Sequence, residues 1–487
     1  MFPKNTSVSA VADYINKLCD SNQLDLALKC IHQVVEEIIT EPLCTSQVFG
    51  SKALDELCLR IGGINFKNYL NKFYFSHSNI STSERETIVY IVTKLQKSGG
   101  HTKVVRDFIS SKPAASHVIL STELDGSSDA SIFNNKILEK IKIAFYPSPR
   151  KSFVDKLTWL QENIIKFSPS RVYLFNNHHD SVAAAAIQPE MKINGFFYHH
   201  GDHHFCLGVY LKHLYHIDPH PMGYHNCRNS LLIDNFYVPL TVDDLRNRDR
   251  ETPFLSNRNL ITCTAARSNK VEISYFVGYV DLLPHILKTT GGTHIHIGRL
   301  SPWAIFKIHA GLKKLGVSRE KFVYIPYVPS VWKSLIAYEV DLYIASFPYG
   351  GGLTLIEAMG AGIPVALHNH IYSEILSGLD LAYHGAFVWS RPEELLNYCK
   401  TISVDELAEA SQTGRNHFEK YHSSALLASV LENILTRPIS PEDSKNIFVS
   451  HADEWAFWMT QQLSFRNLIK RKMYRYFRYI RRAWYSI

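Results

Sequence analysis

The sequence predicts an α/β protein with two parallel sheets in tandem, preceded by a small all-α region. Three observations carry that prediction. From about residue 87 onward, short apolar, β-branched runs alternate with segments of helical character, which is the pattern of a doubly wound parallel sheet. The alternation pauses at a polar, proline-marked stretch, DDLRNRDRETPFLSNRN, setting a boundary near 245–258, and then begins again. Residues 1 to about 80 hold no period-2 segment. There, DLALKCIHQVVEEII (Asp25 to Ile39) sets Leu26, Leu28, Ile31, Val34, Val35 and Ile38 near helical spacing.

The elements follow in order. The first sheet is read from TIVYIVTKL (87–95), HVIL (117–120), KIAFYP (142–147), RVYLF (171–175) and NGFFYH (194–199). The second is read from NLITCTAA (259–266), HIHIG (294–298), FVYIP (322–326), VDLYIAS (340–346) and IPVALH (363–368). Continuous apolar runs of this kind suit strands buried on both faces. The expected architecture is two facing Rossmann-like domains. It divides into an all-α N-terminal domain (1–82), a first α/β domain (83–250), a second α/β domain (251–440), and a cross-over helix with a basic tail (441–487). Ligands of such sheets bind at the carboxyl ends of the strands, so the motifs are read as strand-end loops lining a cleft.

Bulk composition narrows the class. At 487 residues the chain exceeds one core, and 46% hydrophobic with 20% charged residues is ordinary for a globular protein. The eight cysteines are scattered without a CxxC pair, which suits packed, reduced thiols in the cytoplasm rather than a disulfide framework. No charged-then-apolar leader opens the chain and no window approaches a membrane span. The net charge of +7 belongs to the tail: from Ser464 onward there are eight Lys or Arg and no acid. The body is therefore close to neutral, which argues against nucleic acid as a partner.

The most informative stretch is DLYIASFPYGGGLTLIEAMGAGIPVALHNH, Asp341 to His370. A strand runs into Tyr349, then Gly350, Gly351 and Gly352, then a helix from about Leu353 and Thr354. Glycines let backbone approach a ligand, and free amides at a helix start attract phosphate oxygens. Glu357 lies one turn further, within reach of a ribose joined to those phosphates. A glycine-rich turn alone is common and has a purely structural reading.

The full string is more specific. It resembles the donor-site signature of GT-B glycosyltransferases, in which a glycine-rich loop leads to an acid, Ala-Met, and Gly-x-Pro-Val; here these are Glu357, Ala358, Met359, Gly362, Pro364 and Val365. One departure stands out: Tyr349 occupies the place where the retaining subgroup has a second Glu. The FPYG run instead is similar to the loop of the bacterial HMW1C-like and O-GlcNAc-transferase-like group, whose members invert. The resemblance spans roughly residues 87 to 435. It implies that Gly99, Gly100 and His101 face the cleft and that Arg267 and Lys270 in TAARSNK bear on the donor diphosphate. It also implies that Tyr327 and Val328 lie over the base. Cations at that place offset charge on a departing diphosphate, while solvated surface cations are the plain alternative.

Two histidine clusters follow adjacent strands: NNHHD (176–180) and HHGDHH (199–204). The resemblance implies that His179 and Asp180 contact the donor sugar and that His200, Asp202 and His203 stand near the acceptor hydroxyl, with Arg228 on the acceptor side. An inverting transfer needs a base, and His or Asp serves near neutral pH. Two other readings stay open. Imidazoles with a carboxylate are good metal ligands, although adjacent His-His pairs diverge and no HExxH spacing occurs. Structural loop histidines are the third reading. The histidines of HLYHIDPHPMGYH (213–225) are read as loop and core residues.

EWAFWMTQQL (454–463) reads as a helix crossing back onto the first domain. Beyond it, Ile469, Met473, Phe477, Ile480 and Trp484 recur at helical steps, with Arg471, Arg475, Arg478 and Arg482 on another face. Such a helix suits an anionic membrane surface, or else a partner subunit or, least of the three, RNA. The sequence therefore predicts a metal-independent glycosyltransferase without a cofactor. Its donor is a nucleotide-sugar and its acceptor a glycan or lipid-linked glycan at the cytoplasmic membrane face, as in bacterial surface polysaccharide synthesis. A homo-oligomer is compatible with it. The alternatives are a protein acceptor, a metal-dependent hydrolase or epimerase using the histidines, and a catalytically silent scaffold.

Overall fold

The computed structural model describes residues 8–39, 48–73, 85–96, 99–133, 138–246, 252–256, 259–273, 275–370 and 374–441, together with Met473. The first sheet has seven strands: β1 (Thr87–Val92), β2 (Ser116–Ser121), β3 (Lys142–Pro147), β4 (Arg171–Phe175), β5 (Asn194–Tyr198), β6 (Tyr215–Asp218) and β7 (Asn235–Tyr237). The second has six: β8 (Ile261–Ala265), β9 (Thr293–Ile297), β10 (Phe322–Ile325), β11 (Leu342–Ile344), β12 (Val365–His368) and β13 (Phe387–Trp389). Their orders are β3-β2-β1-β4-β5-β6-β7 and β10-β9-β8-β11-β12-β13. Every pairing within them is parallel. Strand order reverses between β1 and β4 and again between β8 and β11, and these switch points fix where a ligand crevice opens.

All ten predicted strands are present. Three further ones, β6, β7 and β13, carry three or four residues each and too little apolar periodicity to stand out. The stretch 213–225, read as loop and core, therefore contains a strand whose end reaches the cleft.

The predicted N-terminal helices are Val8–Asp20, Leu24–Ile39 and Lys52–Phe73. Their apolar stripe is buried against the first sheet: Ile31, Val35, Leu54 and Ile61 share one cluster with Val89, Val172 and Leu174. Burial raises the Asp55 carboxyl to about 7, and it accepts the N–H groups of Gly208 and Tyr210, each at 2.8 Å. The opposite face of the sheet is an aromatic ladder. Tyr90 stacks on Tyr173 and Phe175 on Tyr198, with Phe108 edge-on to three of these rings.

The chain returns to the first domain earlier than the sequence suggests. The helix Leu427–Glu432 brings Leu427 and Leu431 into one cluster with Val104 and Phe108. Glu432 pairs with Lys112, and Arg171 Nη1 donates to Leu431 O at 3.1 Å. The 454–463 helix and the basic amphipathic tail lie outside the described residues, Met473 excepted. Among the described residues no helix is long and apolar enough to cross a membrane.

Candidate functional site

The carboxyl ends of β1, β4, β5 and β6 confront the glycine-rich loop after β11. On the second-domain side, Gly350 must be glycine because a Cβ there would stand 2.4 Å from Ser377 O. Its N–H donates to Leu376 O at 2.7 Å. A Cβ on Gly352 would lie 3.2 Å from Leu240 and 3.7 Å from His220, so this residue abuts the first domain. Between them Gly351 starts the helix Gly352–Gly360 with no side-chain cap. A Cβ at Gly351 would meet Thr354 Oγ1 at 2.7 Å and approach Lys270 Nζ at 3.8 Å. The glycine thus keeps open a cradle bounded by uncapped amides and an ammonium, a geometry suited to phosphate oxygens.

Lys270 follows β8 and donates to Gly350 O. Burial lowers its ammonium to about 8, so it is poised to gain stability from an arriving anion. Arg267, at the start of the same short helix, is exposed. Burial raises the Glu357 carboxyl; its Oε2 accepts the Trp332 N–H at 2.8 Å, capping the helix Val331–Ala337. Tyr327 is 66% exposed, and Val328 packs partly on the core. Tyr349 accepts at its carbonyl from Ser346 Oγ at 2.8 Å, and its side chain packs against the cluster that joins the first sheet to Ile375 and Leu376. Leu353 reaches across: a Cβ on Gly100 would stand 3.4 Å from its Cδ1.

On the first-domain side, Gly99 has φ 153° and leads into the helix Gly100–Ser110. His101 Nε2 lies 3.1 Å from Phe175 O at the end of β4, and its ring stands 4.6 Å from that of His200. Burial lowers His101 to about 4, and burial with the neighbouring His101 keeps His200 well below the ordinary histidine range. Both are uncharged at neutral pH. Asp202 is 3% exposed; its Oδ1 lies 3.3 Å from His203 Nδ1, while its Oδ2 has no hydrogen-bond partner.

The residue missed from sequence is His220, two positions past β6. Its Nε2 is 4.0 Å from Asp202 Oδ2 and its Nδ1 is 3.5 Å from Asp380 Oδ2 in the second domain. Burial opposes a charge on His220, but the two carboxylates outweigh it and raise the imidazole to about 9. In turn burial resists ionisation of Asp202, and cationic His220 together with His203 overcomes it, holding the carboxyl below its usual range. Asp380 also accepts the Met222 N–H at 3.0 Å. The signal available in sequence was only a histidine among many; the pairing requires both domains.

Three sequence-predicted residues fall elsewhere. Asp180 is fully buried and its oxygens are committed: Oδ2 accepts from Thr93 and Thr122 hydroxyls at 2.6 Å each, and Oδ1 accepts the Ala183 N–H at 2.8 Å. It caps a helix and clasps two strand ends, so it is no contact for a sugar. His179 turns to Asp125, 3.0 Å away, and to the His32 ring of an N-terminal helix at 4.4 Å, not to the second domain. Arg228 binds Asn235 at the amino end of β7 and lies over the Tyr224 ring, which removes it from the acceptor side.

Two parallel sheets with their strand ends confronting one another, an uncapped helix after the fourth strand of the second sheet, and N-terminal helices outside define the GT-B fold. The particular likenesses are to solved structures. Anabaena Alr3699/HepE in complex with UDP superposes with a TM-score of 0.54 at 12% identity, covering 72% of this chain and 99% of that one. A glycosyltransferase from Rickettsia africae gives 0.51 at 13% identity, covering 73% and 100%. The lipopolysaccharide outer core galactosyltransferase WaaB gives 0.50 at 16% identity, covering 72% and 99%. No family profile matches the sequence, and no curated protein matches it.

Proposed function

We propose that this protein is a glycosyltransferase moving a sugar from a nucleotide-sugar donor to a hydroxyl acceptor. The observation that carries the reading is the cradle of Gly351, the uncapped Gly352–Gly360 helix and Lys270, standing opposite His220 and Asp202. The donor diphosphate lies against the helix amides and Lys270, with Arg267 at the rim; these cations and the helix dipole balance the leaving group in place of a metal. Glu357, adjoining the cradle, receives the ribose hydroxyls, and Tyr327 with Val328 covers the base.

On the acceptor side Asp202 is the general base. It is ionised, one of its oxygens lacks a hydrogen-bond partner, and charged His220 fixes its position. Uncharged His200 and His101 line the approach. HepE is known in complex with UDP-glucose and WaaB acts on lipopolysaccharide outer core. By that analogy a surface glycan or lipid-linked glycan is the acceptor, and the basic tail from Ser464 holds the enzyme at the inner membrane face.

A thermal-shift screen against nucleoside diphosphates and their sugar conjugates tests the donor site, since a ligand of the folded state raises its melting temperature by mass action. At least one diphosphate should shift melting by several degrees in the wild type and far less in Lys270→Ala. A panel without any shift, or an equal shift in the variant, removes the assignment.

A further inference from the structure

The proposed transfer leaves four buried side chains behind the acceptor wall unused. His199 follows β5, His216 and Asp218 lie on β6, and Cys227 lies in the π-helical turn Asn226–Ser230. All four are at most 4% exposed. One ligand-capable atom from each lies within 4.8 Å of the others. His199 Nδ1, Asp218 Oδ1 and Cys227 Sγ form a triangle with sides of 2.9, 3.5 and 3.5 Å. His216 Nε2 is 3.2 Å from the second oxygen of Asp218.

We infer that these residues form a closed structural site for a zinc-class divalent ion, with His199, His216, Asp218 and Cys227 as its ligands. Donor atoms bound tetrahedrally at about 2.0–2.3 Å from zinc stand roughly 3.3–3.8 Å apart; the triangle of 2.9, 3.5 and 3.5 Å lies within about half an ångström of that range, and the fourth ligand closes in from a separation of no more than 4.8 Å. Hydrogen bonding alone leaves the cluster incomplete. Neither ring nitrogen of His216 has a hydrogen-bond partner although both are buried, and His216 Nε2 faces a carboxylate without hydrogen-bond geometry. Lone pairs converging on one point are what a shared cation satisfies. Asn235 Nδ2 donates to Asp218 Oδ2 at 2.6 Å, the outer contact that orients a ligating carboxylate. Two neutral imidazoles, a carboxylate and a thiolate neutralise a divalent ion fully, which suits a dry interior. Four protein ligands leave no position for substrate, so the ion is structural. It ties the His200–Asp202 loop to the β6 end that carries His220. The described HHGDHH histidines beyond His199 take no part, so this site differs from the metal reading of that run.

The test uses the full chain expressed in zinc-supplemented medium and freed of loosely bound metal by gel filtration. Elemental analysis should find about one zinc per chain. Exchange into cobalt should give thiolate-to-cobalt absorption in the near ultraviolet together with visible bands of tetrahedral intensity. Cys227→Ser should abolish the thiolate band, and His216→Asn should lower zinc content at least fivefold, with folding of each checked by far-ultraviolet circular dichroism. Should either variant fail to fold, the wild-type cobalt spectrum decides alone. Folded wild-type protein with less than a tenth of an equivalent of zinc and no cobalt thiolate band overturns the inference. So does undiminished metal in folded variants of both ligands, which places the ion elsewhere.

Discussion

The two walls of the cleft are built on different plans. The second-domain wall is one contiguous loop and helix, Tyr349 to Glu357, joined by Lys270 from the short helix that follows the neighbouring strand β8, with Arg267 at the rim. The first-domain wall gathers His101, His200, Asp202 and His220 from the ends of β1, β5 and β6, and completes its charge balance with Asp380 from across the cleft. Backbone amides and glycines can bind phosphate with little help from distant side chains, because a helix terminus supplies its own field. A base has to be tuned by neighbours, and neighbours come from wherever the fold brings them.

If that contrast is right, changes on the first-domain wall should act on turnover and changes on the second on donor affinity. The largest effect is expected from Asp202→Asn. It should lower kcat by roughly 10²–10⁴-fold while leaving nucleotide-diphosphate affinity within about twofold; steady-state kinetics with calorimetry checks both halves. A loss of diphosphate binding in that variant would merge the two walls into one.

Asp180→Ala probes a residue beneath the wall rather than in it. Stripping a buried carboxylate from two threonine hydroxyls and a helix N–H should cost about 2–4 kcal/mol of stability. Urea unfolding measures this, and a neutral substitution there would return Asp180 to the list of ligand contacts.

Lys270→Ala should weaken diphosphate binding about tenfold or more with kcat less affected, as a removed charge-assisted contact implies. A smaller effect sharpens the same point. With the free ammonium near 8, Lys270 is charged below that pH and neutral above it. Diphosphate binding favours the charged form, so affinity should fall as pH rises through about 8, with proton uptake on binding in that range. Calorimetry in buffers of different ionisation heat detects the uptake, and Lys270→Ala should erase both the step and the uptake.

The difference between the walls also governs what could be read in advance. The predicted strands were legible because apolar and β-branched residues cluster in them, most plainly in TIVYIV of β1 and RVYLF of β4, whose residues past the first are all buried. β6, with YHID, has two apolar or aromatic residues in four and buries a histidine and an aspartate, so hydropathy passes over it. The turn from β11 through the glycines into the helix Gly352–Gly360 was legible as a local pattern. Asp180 and His179 were misassigned because their neighbours Thr93, Thr122, Asp125 and His32 are 54 to 147 positions away, beyond any local pattern. His220 was passed over for the same reason, its partner Asp380 lying in the other domain.

By itself, then, the sequence determined the tandem parallel sheets, the N-terminal helices and the glycine turn into a helix start, because periodic burial and a helix start are local properties of neighbouring residues. Tertiary structure alone decided which of the many imidazoles are charged, which are ligands in waiting and which merely hold strands together. Protonation and coordination depend on the few groups within several ångströms, and in a doubly wound fold those groups come from strand ends far apart in the chain.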